Sequence, residues 1–231
     1  MEIFFNIGHM IKRFKNLLLA SAFITLYASN TQAQDHPPFW SDVQVIKSYD
    51  KIYPVPAKPI VFIGSSSIRL WVDFQQAFPG YPVLNRGIGG AVTSDVDRYL
   101  EDILFPYHPK QVVIYVGEND LLKAPDANTV FADFKKLYSH LRSQLPNTPV
   151  LYIAIKGSPS RKQYQEKAKA ANALIGTFIK NEKNIRFIDV YQPMLNKKGD
   201  MQPALFKEDM LHMNGTGYQI WNKLIISKLL K

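Results

Sequence analysis

Residues 111–120 read QVVIYVGEND, an apolar run that ends abruptly in a polar cluster. The first six residues, QVVIYV, are short, rich in β-branched side chains and apolar on both faces, which is typical of a buried parallel strand. The four that follow, GEND, are residues that favour a turn. This stretch therefore predicts a buried strand that presents polar groups at its carboxyl end.

Four other apolar runs follow the same pattern, and helical patterns separate them. The further strands are predicted at 60–64 (IVFIG), 83–86, 150–155 (VLYIAI) and 185–190 (IRFIDV). The helices are predicted at 93–105, 127–145 and 161–181, with a last helix that starts near Asn214. Strands that alternate with helices predict an α/β fold, a three-layer α/β/α sandwich around a five-stranded parallel sheet. Ligands of such sheets bind at the carboxyl ends of the strands.

Composition narrows the function classes. The chain has 231 residues, 46% of them hydrophobic and 20% charged, which suits one globular domain and excludes a disordered or collagen-like protein. It contains no Cys, so disulfides, a thiol nucleophile and a thiolate metal site are excluded. The net charge is +9, but no basic cluster is interleaved with aromatic residues, so nucleic acid is not an expected partner.

The first 33 residues have the features of a signal peptide. Lys12, Arg13 and Lys15 form a positive region, and the apolar segment 17–28 follows it. Cleavage is expected between Ala33 and Gln34, which predicts a periplasmic or secreted protein. No apolar run reaches the roughly 18 residues that a membrane span needs.

Two points about this end of the chain stay open. A retained amphipathic anchor is the alternative to a cleaved signal, and translation could start at Met1 or at Met10. The expected organisation is a signal peptide at 1–33, a Pro-rich N-terminal segment at 34–59 and one catalytic domain at 60–231.

Four polar blocks lie where chemistry is expected. The first three directly follow predicted strands, and the fourth precedes the last helix: 64–67 (GSSS), 85–90 (NRGIGG), 117–120 (GEND) and 209–212 (DMLH). Together they supply a hydroxyl, a flexible turn, a side-chain amide and an Asp–His pair. A serine becomes a nucleophile when an imidazole takes its proton, and a carboxylate can orient that imidazole. Backbone N–H groups and an amide can stabilise the oxyanion that forms. These residue types favour acyl transfer.

The four blocks, in this order, resemble those of the SGNH/GDSL hydrolase superfamily of esterases and acylhydrolases. The resemblance implies a flavodoxin-like fold, with Ser66 as nucleophile, His212 as base and Asp209 as its orienting carboxylate. It also implies an oxyanion hole formed by the N–H groups of Ser66 and Gly90 and the amide of Asn119, with no metal and no cofactor. One position departs from the family pattern, because Ser65 stands where the family has Asp.

Two further residues are expected to assist. Asp120 is expected to support the catalytic residues indirectly, without taking a catalytic role itself. Segment 156–161 follows the fourth strand, so it is predicted at the substrate rim, with Arg161 as the residue best able to contact an acidic group.

Less specific interpretations of the same residues remain. The serines could cap a helix, with Ser65 or Ser67 as alternative nucleophiles, or the loop could bind phosphate or flavin. A surface histidine is the ordinary interpretation of His212, but among the five histidines only His212 has a carboxylate three residues before it.

The resulting hypothesis is an exported serine esterase acting on a small-molecule or carbohydrate ester. Short acyl groups such as acetyl esters on polysaccharide are expected. The alternatives are a lysophospholipase or thioesterase of the same family, and a non-catalytic carbohydrate- or anion-binding module on the same fold. The sequence does not indicate an oligomeric state.

Overall fold

The five predicted strands form one parallel sheet in the order β2-β1-β3-β4-β5. The structure is a computed structural model and describes residues 36–231. The strands are β1 (Ile60–Gly64), β2 (Val83–Gly87), β3 (Gln111–Tyr115), β4 (Val150–Ile153) and β5 (Ile185–Ile188). All five residues of β1 and of β3 are buried, as a strand covered on both faces requires. The α/β prediction is confirmed.

Helices connect the strands along the described part of the chain. In chain order the α-helices are α1 (Trp40–Tyr49), α2 (Ser66–Arg69), α3 (Phe74–Ala77), α4 (Thr93–Arg98), α5 (Leu100–Ile103), α6 (Asp120–Lys123), α7 (Ala127–Gln144), α8 (Gln165–Lys180) and α9 (Gly215–Ile226). Short 3-10 turns lie at Phe105–Tyr107, Pro159–Tyr164, Gln192–Met194 and Pro203–Leu205. In residues 36–231, no helix is both long and apolar enough to cross a membrane.

Aromatic side chains pack the helices onto both faces of the sheet. Tyr115 of β3 contacts Trp221 of α9, with ring centroids 4.7 Å apart. Tyr152 of β4 projects from the opposite face and contacts Phe134 of α7 at 4.8 Å. All four side chains are buried, so each layer of helices is fixed by large apolar contacts.

Two elements differ from their predicted form. The helix predicted at 93–105 is divided into α4 and α5, with Tyr99 between them in a non-helical conformation. The segment 34–59, predicted only as Pro-rich, contains α1, whose Val43 and Ile46 are buried in the core. Two apolar residues three positions apart were the signal for this helix, and the surrounding prolines obscured it.

Candidate active site

Ser66 lies at the turn between β1 and α2. Gly64 ends the strand with a φ of 140°, and a side chain at this position would overlap the main chain of Tyr115. Only glycine allows this close approach of two neighbouring strands. The chain then turns sharply and Ser66 begins the helix, at the carboxyl edge of the sheet where the sequence placed the site.

The three consecutive serines differ in exposure. Ser65 and Ser67 are buried, at 1% and 2% exposed, whereas Ser66 is partly exposed. A nucleophile must be reached by its substrate, so burial disfavours the two alternatives that the sequence left open. Ser65 occupies the position of the family's Asp with its hydroxyl inside the protein.

His212 joins Ser66 and Asp209 in a continuous hydrogen-bonded chain. His212 Nε2 is 3.1 Å from Ser66 Oγ, although the two residues are 146 positions apart in the sequence. His212 Nδ1 is 2.6 Å from Asp209 Oδ2. An ionised carboxylate only accepts, so Nδ1 donates to it and Nε2 of the neutral ring is left to accept the serine proton.

The loop geometry keeps Asp209 ionised. Its carboxylate accepts from the His212 ring and also from the backbone N–H groups of His212 and Leu211, each at 2.9 Å. The hydrogen bond from the His212 side chain, followed by these backbone bonds, holds the pKa of Asp209 well below its ordinary value. Met210 lies between Asp209 and His212 in the sequence and has a φ of 52°. This conformation turns the chain so that the two side chains face each other.

Gly90 follows β2 in a turn that is attached to the Ser66 turn. The Ile88 N–H donates to Gly64 O at 2.8 Å, and the Asn85 side chain donates to Ile68 O at 2.7 Å. Gly90 has a φ of 81°, a left-handed conformation that favours glycine. These bonds fix the Gly90 backbone relative to the helix that Ser66 begins.

The amide of Asn119 is held in one orientation by contacts on both of its polar atoms. Its Oδ1 accepts from Arg161 Nη2 at 3.0 Å, and its Nδ2 donates to Ala91 O at 3.0 Å. A guanidinium only donates, so the amide cannot flip without losing this bond. One N–H of Nδ2 remains for a further acceptor.

Asp120 links the Asn119 loop to the Gly90 loop. Its two carboxylate oxygens accept from the backbone N–H of Thr93 at 3.0 and 3.2 Å. Burial raises the pKa of Asp120, while the Thr93 hydrogen bonds oppose that shift. The supporting role predicted for Asp120 stays a prediction.

Arg161 contacts the Asn119 loop through both terminal nitrogens. Besides the bond to Asn119, its Nη1 donates to Glu118 O at 3.1 Å. The predicted contact between Arg161 and an acidic group of the substrate stays a prediction.

Lys156 is a correction to the sequence analysis. It was expected at the substrate rim, but its side chain is fully buried and pairs with Glu118 at 2.7 Å. Glu118 was not predicted to have a role, and Lys156 was predicted only as part of the rim segment. The sequence feature that could have indicated a buried Lys156 is its position directly after the wholly apolar run at 150–155.

In the part of the chain that the structure describes, no group of three His, Asp or Glu side chains has the arrangement that a metal site needs.

Comparison with known proteins agrees with this architecture. The model of the GDSL-like lipase/acylhydrolase family matches residues 64–220, a range that contains all four polar blocks. The chain belongs to this family. Its members are hydrolases that act on esters, so the chain is an ester hydrolase and the predicted resemblance is confirmed. No curated protein sequence matches the chain.

Several solved structures share the fold of this GDSL-like acylhydrolase. A GDSL-like lipase from Bacteroides thetaiotaomicron is 24% identical, with a TM-score of 0.70 over 82% of this chain and 99% of that one. A Streptococcus pneumoniae structure described as a platelet activating factor is 21% identical, with a TM-score of 0.72 over 91% and 99%. A catalytic mutant of an acetylxylan esterase from Geobacillus stearothermophilus is 16% identical, with a TM-score of 0.58 over 74% and 93%.

Proposed function

We propose that this GDSL-like acylhydrolase is an exported serine esterase that forms an acyl-enzyme on Ser66. The observation that carries the proposal is the hydrogen-bonded chain from Ser66 Oγ through the His212 ring to Asp209. Each member has the state that acyl transfer needs: a partly exposed hydroxyl, an imidazole with Nε2 free to accept, and an ionised carboxylate.

In the first half-reaction, Ser66 Oγ attacks the carbonyl carbon of the ester while His212 Nε2 takes the hydroxyl proton. The carbonyl oxygen becomes an oxyanion, which accepts from the N–H groups of Ser66 and Gly90 and from the free N–H of Asn119 Nδ2. The intermediate then collapses, the ester C–O bond breaks, and the alcohol leaves with the proton from Nε2. The acyl group remains on Ser66.

In the second half-reaction, water replaces the alcohol. His212 Nε2 takes a proton from water as its oxygen attacks the acyl carbon, and the proton returns to Ser66 Oγ when the bond to the acyl group breaks. The products are a carboxylic acid and the regenerated serine. Asp209 orients the ring and stabilises its charged form in both halves.

The proposed substrates are short acyl esters, with acetyl groups on carbohydrate as the first class to test. The side chains of His212 and Asp209 are 23% and 47% exposed, so the site is open enough for a bulky, hydrophilic alcohol moiety. Among the structural relatives, the acetylxylan esterase acts on an ester of this kind. Export agrees with a polysaccharide substrate outside the cytoplasm.

The proposed organisation is the one expected from the sequence, with cleavage between Ala33 and Gln34 and a catalytic domain from residue 60. The signal peptide lies outside the described residues. Because α1 contributes buried residues to the core, the segment between residues 38 and 59 is proposed to remain with the mature enzyme.

Labelling with a fluorophosphonate tests the proposed nucleophile. We expect a single adduct that peptide mapping places on Ser66, because its partly exposed hydroxyl is hydrogen-bonded to the His212 imidazole. The adduct should be lost in His212→Ala and retained in His140→Ala, a matched change at another histidine that contacts an Asp. Enzyme that has not been treated with the fluorophosphonate should hydrolyse p-nitrophenyl acetate faster than longer acyl esters, and should release acetate from acetylated xylan.

Three results would contradict parts of the proposal. If the probe does not react with the wild-type protein under conditions that label a known serine esterase, the result would favour a non-catalytic binding module. An adduct on Ser65 or Ser67 would make the assignment of the nucleophile wrong. A preference for long acyl chains would instead point to a lysophospholipase or thioesterase.

A further inference from the structure

A buried ion pair lies between two loops of the candidate active site. Lys156 follows β4 and Glu118 follows β3, and the Lys156 ammonium is 2.7 Å from Glu118 Oε1. Their side chains are 0% and 5% exposed. Taking two charges out of water is costly, and apolar residues of similar size often give equal or greater stability. Stability alone therefore does not account for this pair.

Each member of the pair is connected to a proposed catalytic group. Lys156 Nζ donates to Leu211 O at 2.9 Å, and Leu211 is the residue before His212. Glu118 is the residue before Asn119. The pair thus connects the loop that carries the proposed base to the loop that carries the proposed oxyanion donor.

The surroundings hold this pair in a single arrangement. The Tyr115 hydroxyl donates to Glu118 Oε2 at 2.7 Å, so both carboxylate oxygens have partners. Arg161 Nη1 lies 3.8 Å from Glu118 Oε1, and the Phe206 ring lies 5.4 Å from the ammonium. Burial lowers the pKa of Lys156, and the neighbouring Glu118 carboxylate opposes that shift.

We propose that Lys156 is a positioning residue that fixes His212 relative to Asn119. Through the Leu211 carbonyl it holds the main chain that directs the imidazole toward Ser66, and through Glu118 it holds the loop of the amide. This inference rests on the proposed function, because it assigns Lys156 a role only if His212 and Asn119 act on the same ester.

The test compares Lys156→Met with Arg142→Met. Methionine has a similar length and no donor, so it removes both bonds of the ammonium. Arg142 is a matched control: its guanidinium also donates to main-chain oxygens, those of Leu145, Thr148 and Asn184, but at the amino edge of the sheet. Both substitutions should lower the Tm of the protein.

Only Lys156→Met should change catalysis. We expect its kcat for p-nitrophenyl acetate to fall about 10- to 100-fold, the factor for one lost hydrogen bond to a charged group, while KM changes less than about threefold. Active sites are counted by fluorophosphonate labelling to completion, so that a misfolded fraction does not lower the measured kcat. Glu118→Gln keeps an oxygen acceptor for Lys156 and should lose less activity than Lys156→Met.

A double variant separates positioning from stability. Lys156→Met with Glu118→Met removes both buried charges, so it should fold even if the single variant does not. Its Tm should recover towards that of the wild type while its kcat per labelled site stays low. The proposal is overturned if Lys156→Met or the double variant has a wild-type kcat per labelled site. Failure of the proposed function would be distinct, since the wild type itself would then carry no Ser66 adduct.

Discussion

Two histidine–aspartate pairs of the protein have nearly the same geometry. His212 Nδ1 is 2.6 Å from Asp209, and His140 Nδ1 is 2.8 Å from Asp97. Both rings are partly exposed, at 23% and 36%. The pairs differ at the other nitrogen: His212 Nε2 faces the Ser66 hydroxyl, whereas His140 Nε2 is 3.9 Å from Glu101.

This difference shows that an oriented imidazole is not sufficient for a catalytic site. A hydroxyl on Nε2 can give up a proton and attack a carbonyl carbon, while an ionised carboxylate in that position has no proton to give. His140 lies in α7, and its partners Asp97 and Glu101 lie in α4 and α5. We therefore interpret His140 as a cross-link between helices and His212 as the base.

Asparagine substitutions at the two aspartates should separate these roles most strongly. Asp209→Asn removes the charge that sets the tautomer of His212, so we expect kcat/KM to fall on the order of 10³- to 10⁴-fold. Asp97→Asn should leave kcat/KM within about twofold and cost less than about 1 kcal/mol of stability, as is typical of exposed pairs. Steady-state kinetics and urea unfolding measure both. Similar losses of activity in the two variants would remove the distinction between the pairs.

Asn119→Ala tests whether the region around His212 supplies more than proton transfer. The substitution removes one proposed oxyanion donor and leaves the serine, histidine and aspartate in place. Loss of one such donor lowers kcat on the order of 10²- to 10³-fold. KM for a small ester should change little, because the donor acts mainly on the oxyanion. A variant with full kcat would show that the amide only stabilises its loop.

The substitution at Asp120 is expected to have the smallest effect of the three. The pKa of Asp120 is raised, whereas that of Asp209 is lowered. Burial raises the pKa of Asp120, so the folded state binds its proton more tightly than the unfolded state does. Its contribution to stability is present below the ordinary carboxyl pKa of about 4 and is lost as the pH rises through the folded value.

Asp120→Asn keeps an oxygen acceptor for Thr93 and does not titrate. The free energy of unfolding of the wild type should therefore decrease relative to that of the variant as the pH is raised from about 4 to 7. Urea unfolding at both pH values measures the difference. Parallel pH dependences would show that the carboxylate is not penalised by burial.

Local sequence patterns predicted much of the fold and of the site. The five strands were identified because each is a short apolar run, and a buried parallel strand requires such a run. Residues that follow parallel strands meet at one edge of the sheet, so strand order along the chain predicts that the blocks containing Ser66, Gly90 and Asn119 lie together. Asp209 and His212 were identified because they lie three residues apart and resemble a family motif.

Contacts between distant residues escaped the sequence analysis. His212 was singled out because a carboxylate lies three residues before it in the sequence. The same comparison could not show that His140 also contacts a carboxylate, because Asp97 lies 43 positions away. In the same way, the partner of Lys156 is 38 positions away, so Lys156 was expected at the substrate rim instead of in the interior.

The sequence by itself thus determined the strands, the carboxyl edge as the place of the site and the chemical types gathered there, because these depend on periodicity and on strand direction. Only the tertiary structure decided which of the three serines is accessible, which imidazole meets a hydroxyl and which charges pair in the interior. Those outcomes depend on distances across the chain, since Ser66 and His212 meet from 146 residues apart through the packing of helices on the sheet.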